Sequence, residues 1–585
     1  MPTDCVLTLP VRQNPEHLER DVILGLLAGE LGCPREQIAD FRLRRFSFDA
    51  RPRHMTWHAA FEVWEDGEDV VEVTYEVDCK PPSPRGDDAP HVVVVGCGPA
   101  GLFCAMDLLR SGARVTLCER GKDVQERRKD IANINRGKAA DPESNYCFGE
   151  GGAGTYSDGK LFTRSGRKKD VFRVLEELVS FGAPESVLSC WRPHIGSNLL
   201  PKVVKRIRRC IEEADGKVCF NTRVDKLLVE NGKITGVEVS RDGVGDSESI
   251  EADAVVIAAG HSALDTLLAV SEAGAALEAK GFALGVRVEH SQEWLDSIQY
   301  HGAEDAVDMP ASFYELSAKA GEHGVYSFCM CPGGWVVPSQ TTPDRLVVNG
   351  MSMAKRDSPY ANSGIVVSVN PEDWCGRRGN RWGWGRLIKQ AATLSSNQML
   401  HQVVIGAVGG EKINVAEGRL PETPLDDPLF GIRIQIALET IAAIAGGGDN
   451  KAPAQTCADF INETGNSHEL LASSYLPGLT PADFRNILPH GLAKRLHIGL
   501  MAFDQRLEGF ASSAGQMIGV ETRTSSPVRV RREPESCESV SLKGLYPCGE
   551  GAGYAGGIVS AALDGRRVAA GVVAALKLLD HKQTT

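Results

Sequence analysis

Chemistry enters this chain first through three glycines and an acid. Gly96, Gly98 and Gly101 form G-x-G-x-x-G, completed by Cys97, Pro99 and Ala100, and Glu119 closes the same stretch. Each suits dinucleotide binding. The first glycine turns the chain and the second admits a pyrophosphate against bare backbone. The third lets a helix pack closely on a strand, and the acid accepts hydrogen bonds from an adenosine ribose. A second glycine cluster, Gly149, Gly151, Gly152 and Gly154 around Ala153, lies in NYCFGEGGAGTYSDGKL (145–161). It excludes a regular helix or strand interior and suits a loop pressed against a flat or phosphorylated ligand. A third, Gly549-Glu550-Gly551 followed by Gly556 and Gly557, precedes a helix starting near Ile558, whose N-terminus offers unpaired N–H groups. His194 is the candidate proton carrier, with an ordinary pKa near working pH; a structural histidine is the alternative. Arg523 and Arg529 read as partners of either a substrate carboxylate or a pyrophosphate. Cys329 and Cys331 read as packed thiols, with a redox pair as the alternative, and Cys147 is a further redox candidate. The C-x-C pair lacks a second pair to complete a zinc site, so no metal is expected.

These residues need elements to hold them. Residues 92–95 are a continuous apolar run, as in a parallel strand buried on both faces, with a helix over 102–110 and a strand over 114–117. Residues 252–259 repeat the buried-strand pattern and run into Gly260. They are expected to add a strand to the same sheet, so the dinucleotide domain is interrupted. Residues 544–576 give another strand, glycine turn and helix. Between them, 122–136 is a polar helix, 172–181 and 202–213 are amphipathic helices, and Asn231-Gly232 marks a hairpin turn. Stretches 281–290, 325–339 and 349–368 read as strands of a β-rich domain, and 432–445 and 493–510 as helices. The stretch 376–387 places Trp382 and Trp384 among four arginines. It reads as a surface insertion, with cation–π binding of an anionic aromatic compound as the alternative. Residues 1–80 form a small α+β unit with strands over 5–9, 42–49, 58–64 and 70–77 and a helix over 19–32. Its basic cluster (Arg42, Arg44, Arg45, Arg51, Arg53) reads as a solvated edge strand, and 80–90 as a Pro-rich linker.

The 585 residues, 42% hydrophobic and 24% charged, describe a globular protein too long for one core. A net charge of −13 argues against non-specific nucleic-acid or anionic-membrane binding. The 16 cysteines are scattered, as for free thiols in a reducing compartment, and no signal, transit or membrane-spanning segment is visible. A cytoplasmic protein acting on a small molecule is expected, with its oligomeric state open.

Together these motifs resemble the two-dinucleotide-binding-domain flavoproteins with glutathione-reductase-like FAD domains. The resemblance is closer to the FAD-dependent, or NAD(FAD)-utilising, dehydrogenases. It rests on NYCFGEGGAGTYSDGKL (145–161), PHIGSN (193–198), VYSFCMCPGG (325–334), NSGIVV (362–367), GGGDNKAPAQ (446–455), TRTSSPVR (522–529) and GEGAGYAGGI (549–558). It implies FAD, held by Gly96, Gly98, Pro99, Ala100, Gly101 and Glu119, with Ala258, Ala259 and Gly260 and with Gly549, Glu550 and Gly551. It sets Gly151, Gly152 and Ala153 against flavin or pyrophosphate and Gly556, Gly557 and Ile558 at the flavin's N1–C2=O edge. Arg120 and Val224 complete the expected set. The fold implied is α/β: an interrupted Rossmann-like FAD-binding domain (91–265 and 521–585), a β-rich α+β substrate domain (266–520) and the small N-terminal domain (1–80) joined by linker 81–90. The activity implied is hydride transfer between a small organic substrate and FAD. NAD(P)H is a candidate transient donor, since no second G-x-G-x-x-G is present. A flavin monooxygenase or halogenase is a second reading, motivated by Gly334-Trp335-Val336-Val337-Pro338, an incomplete G-W-x-W-x-x-P. A non-catalytic FAD protein that recruits a partner is a third.

Overall fold

The computed structural model describes residues 2–51, 55–70, 75, 77–80, 86, 88–163, 166–241, 247–301, 309–406, 411–467 and 469–578. Four apolar strands around the first glycine motif build a parallel sheet with a fifth. Its order is Leu545–Pro547, Ala254–Ile257, His91–Val95, Arg114–Cys118, Lys217–Cys219. Val92 to Val94 are fully buried, because helices cover one face and an antiparallel meander (Thr222–Glu230, Lys233–Arg241, Glu248–Glu251) covers the other. Strands more than 400 residues apart in sequence thus share one sheet, and the dinucleotide domain is interrupted as its segments imply. Asn231 and Gly232 both take positive φ (49° and 75°), the conformation of a two-residue hairpin turn.

The inserted domain is built on a seven-stranded sheet. Phe282–Ser291 and Tyr360–Val369 lie at its centre, and the Phe430–Gly446 helix is buried along most of its length. Here the structure corrects the reading of 376–387. Those residues are two helices, Gly376–Trp382 and Trp384–Leu394, joined at Gly383 in the left-handed region. Trp382 and Trp384 stack at 5.4 Å inside the main core, and Arg495 lies over Trp382 at 3.9 Å. The tryptophans face inward and the arginines outward, so the stretch is core rather than an insertion.

The N-terminal unit is a three-stranded sheet with Thr56–Glu65 between Thr3–Pro10 and Ile38–Asp49, covered by the helix Arg20–Leu31. Arg42 and Arg44 pair across strands with Glu62, and Arg45 faces a cleft described below. Arg53, much of the strand expected over 70–77 and most of the linker fall outside the described residues. Cys79 and Cys210 form a disulfide that ties the end of this unit to the helix Leu200–Glu213, whereas the other 14 cysteines are free. The expectation of free thiols throughout is therefore corrected at this pair, which folding brings together from 131 residues apart. Among the described residues no helix is long and apolar enough to cross a membrane.

Candidate active site

Four glycine-bearing segments meet at the C-terminal edge of the parallel sheet. Gly96 sits at φ 103°, a conformation open to glycine, and a Cβ there would also crowd the Ala258 carbonyl. A Cβ on Gly101 would overlap the Gly96 carbonyl oxygen, which is the close helix–strand packing expected of the third glycine. Gly98 is different: a Cβ there would find only the Gly152 Cα, at 3.9 Å. Among the described residues nothing crowds that position, which leaves its bare backbone open to a ligand. Gly151 N–H donates to the Cys97 carbonyl (2.8 Å), joining the second glycine segment to the first. Gly154 lies against Ile558, Gly551 against Gly260, and Gly549 against Ala100. Two helices begin here, Pro99–Arg110 behind Gly98 and Ile558–Leu576 behind Gly557, and neither has a side-chain N-cap. Their first N–H groups and positive dipole ends remain available to an anionic ligand. Ala153, Gly260, Gly556 and Gly557 present exposed backbone beside them. These residues fit a long, flat, phosphorylated cofactor such as FAD.

Three members of the expected set are already engaged within the protein. Glu119, 5% exposed, accepts from the backbone N–H groups of Cys97 (2.8 Å), Gly121 (2.9 Å) and Gly149 (2.9 Å). Its carboxylate therefore clamps the two glycine segments together, beyond the ribose role read from its position. Arg120 pairs with Glu143 and Asp265 (both 2.8 Å) and lies over the Phe148 ring at 4.3 Å. Val224 is buried between meander and sheet. Sequence reading missed Arg127 and Glu150, which hold the second glycine segment in shape. Arg127 is fully buried and donates to the carbonyls of Asn145 (2.8 Å), Tyr146 (3.0 Å) and Glu150 (2.8 Å). Glu150 accepts from Val124 N–H and from Arg208. A buried arginine in a helix that is polar overall carries no sequence signal of its own.

His194 lies elsewhere, on a cleft of about 2080 Å³ between the N-terminal unit and the two larger domains. Its Nε2 donates to the Ala354 carbonyl (3.1 Å), leaving Nδ1 as the acceptor. Burial and the neighbouring Arg356 push its pKa down to about 4, against the expectation of a group titrating near neutrality. Beside it, Asp158 accepts from Ser352 Oγ and pairs with Arg356 (2.7 Å) and Lys160 (3.1 Å). Burial would raise the Asp158 carboxyl, and the two cations outweigh it and hold it well below the usual carboxylate range. Asp158 and Lys160 belong to the same SDGKL string as the second glycine cluster, an acid and a base two residues apart just beyond the glycines.

The arginines read as anion binders are paired inside the protein. Arg523 meets Glu439 (2.7 Å) and Ser262 (3.1 Å), and Arg529 meets Glu278 (2.8 Å). A substrate carboxylate or a pyrophosphate would have to compete with these carboxylates, so neither residue is a free anion site. The thiol of Cys147 lies 3.4 Å from Ser262 Oγ. Gly334–Pro338 is a strand paired with Val348–Ser352.

Residues 90–284 match the pyridine nucleotide-disulphide oxidoreductase family. Residues 281–396 and 413–524 match the C-terminal domain-like region of FAD-dependent proteins. The chain is 36% identical over 518 residues to an uncharacterised protein of Clostridium beijerinckii, covering 88% of this chain and 84% of that one. It is 32% identical over 184 residues to 6-methylpretetramide 4-monooxygenase of Streptomyces rimosus, covering 31% of this chain and 41% of that enzyme. A solved structure of Escherichia coli quinol fumarate reductase FrdA aligns with a TM-score of 0.36 at 11% identity, over 85% of this chain and 72% of that one, too distant to bear on function. The glycine cradle and these matches together place the chain in the FAD-dependent oxidoreductases that join a pyridine nucleotide-disulphide oxidoreductase domain to this C-terminal domain.

Proposed function

We propose that the protein is a cytoplasmic dehydrogenase or reductase that passes two electrons between FAD and a small organic substrate bound in the cleft beside His194. The observation that carries the cofactor assignment is the convergence of four glycine segments on the open face of Gly98, with two uncapped helix N-termini behind it. When bound, FAD supplies hydride-accepting chemistry that no side chain offers. The chain's own residues do the rest. The N-terminus of Pro99–Arg110 and the Gly98 backbone would hold the pyrophosphate, and Glu119 has acceptor capacity left for a ribose hydroxyl. The N-terminus of Ile558–Leu576, with Gly556 and Gly557, would favour negative charge at the flavin end. His194 is neutral at physiological pH. It would therefore take a substrate proton at Nδ1 as a base rather than deliver one as an acid. The N-terminal unit forms one wall of the cleft. The 14 free cysteines support a cytoplasmic setting, and the acidic net charge supports a small-molecule rather than a nucleic-acid partner.

The test begins with colour. Purified protein should absorb near about 450 nm from bound flavin. Gly98→Ala should fold normally, because its Cβ has room in the protein, and should lose that absorbance. Stoichiometric FAD in the folded variant would overturn the placement. Anaerobic flavin reduction by NADPH, compared with NADPH-driven oxygen uptake, then separates a reductase from a monooxygenase.

A further inference from the structure

Beneath the cleft lies a cluster that the flavin reading does not use. Lys160 places its Nζ 3.7 Å from Cys329 Sγ and 3.6 Å from Cys331 Sγ. Both cysteines are on the strand His323–Cys331, at alternate positions that share a face in regular strand. The strand is irregular there: pairing with Tyr360–Val369 shifts register between Phe328 and Cys331, and Cys329 takes φ 44°. For a non-glycine residue this is a strained conformation, of the kind that collects at functional sites. Cys329 is partly exposed and lines the cleft, whereas Cys331 is fully buried behind it. Arg287 reaches the same turn from the next strand but one, donating to the Cys329 carbonyl (3.3 Å), and is itself ion-paired with Glu521 (2.8 Å).

We propose that Cys329 and Cys331, with Lys160 between them, form a dithiol that reduces a low-molecular-weight disulfide admitted through the cleft. Adjacent packing alone does not account for a lysine ammonium aimed at both sulfurs. A hydrogen bond from Cys331 and the charges of Lys160 and Arg287 draw the Cys329 thiol well below its ordinary pKa. Burial and Asp158 oppose this and are outweighed. Cys331 is driven the other way, by its hydrogen bond with Cys329 and by burial. Lys160 keeps its charge: burial would lower its pKa, and Asp158 and the two sulfurs more than offset it. The remaining neighbours are His194, which is neutral, and Arg356, which is tied to Asp158.

The step balances as follows. The Cys329 thiolate attacks one sulfur of R–S–S–R′, its S–S bond breaks, and R′S⁻ leaves and is protonated from solvent. Cys331 then gives up its proton and attacks Cys329 Sγ, the bond to R breaks, and RS⁻ leaves. Two electrons pass from the dithiol to the disulfide, which becomes two thiols, and a Cys329–Cys331 disulfide remains. This half-reaction shares the cleft with the function proposed above and needs no flavin, so either can fail while the other stands.

Full-length protein is reduced, desalted and mixed with glutathione disulfide, and its peptides are mapped by mass spectrometry. Wild type should accumulate the Cys329–Cys331 disulfide, Cys331→Ser should stop at glutathione on Cys329, and Cys329→Ser should do neither. Iodoacetamide at about pH 6.5 should label Cys329 faster than Cys33 or Cys219, and Lys160→Met should slow that labelling about tenfold, one pKa unit of thiolate. An unchanged melting temperature and far-ultraviolet circular dichroism in each variant show an intact fold. Cys329 labelling no faster than Cys33, or an unmodified Cys329 after glutathione disulfide, would overturn the assignment. The wild-type measurements decide the matter even where a cysteine variant fails to fold.

Discussion

At the scale of single residues, burial decides what a titratable group does. His194 and His290 have the same imidazole, and both are held near pKa 4. For His290 the cause is burial: it is 2% exposed, stacked on Trp294 at 4.3 Å, and donates from Nε2 to the Phe510 carbonyl (2.9 Å), while Nδ1 has no partner among the described residues. The folded pKa lies below the unfolded value of 6.5, so between these values the unfolded chain binds a proton that the folded one refuses. Stability from this group is fully present above pH 6.5 and is lost as pH falls toward 4, by about 3 kcal/mol. Melting temperature should therefore drop across that window, and His290→Gln should remove its share of the drop. An identical pH profile for wild type and variant would contradict it. Neither histidine's environment is legible locally, because the groups that desolvate them come from distant segments.

At the scale of elements, the cofactor cradle depends on two helices lying close together. Gly565 of Ile558–Leu576 sits against Pro99–Arg110 so tightly that a Cβ would overlap the Ala100 carbonyl oxygen. Asp564 in the same turn accepts from Gly549 N–H (2.7 Å) and pairs with Arg532, tying the third glycine segment to the helix behind it. Gly565→Val should push the helices apart, costing about 1–3 kcal/mol as overpacking. It should also weaken FAD retention, read as flavin lost on gel filtration beside a lowered melting temperature. Full retention of both would show that the helix spacing is not what holds the cradle. The strands and helices flanking the glycines were readable from apolar runs and their breaks. The helices over 376–394 were not, because GRRGNRWGWG has the composition of a loop. They are stabilised by what they bury in the core, the stacked Trp382 and Trp384 together with Leu387 and Ile388.

At the scale of the whole molecule, the N-terminal unit closes one side of the cleft. Trp191 N–H donates to the Phe46 carbonyl (3.1 Å), and Phe48 meets Tyr300 edge-on at 5.8 Å. The Cys79–Cys210 disulfide tethers the end of this unit to the dinucleotide domain. Closing a loop of 131 residues restricts the unfolded chain, a contribution of about 3–5 kcal/mol. Cys79→Ser should lower the melting temperature, and a reducing agent should lower that of wild type but leave the variant unchanged. Equal melting points for all three would mean that the tether adds nothing.

The sequence by itself determined the cofactor class, because the constraint is local. A glycine turn, a following helix and a terminal acid within thirty residues are all that a pyrophosphate and a ribose require, and the chain must spell them in order. It likewise marked 92–95 and 252–259 as runs that become buried strands, whereas the equally buried Ala452–Thr456 and Gln516–Glu521 carry no such mark. Only the tertiary structure decided that Glu119 also clamps two loops, that Arg127 braces the second of them, and that Arg523 and Arg529 are already paired. It alone brought Lys160 to Cys329 and Cys331, 169 and 171 residues away. Electrostatics and burial act over a few ångströms of space whatever the separation along the chain, so residue type and spacing could name these groups without saying what faces them.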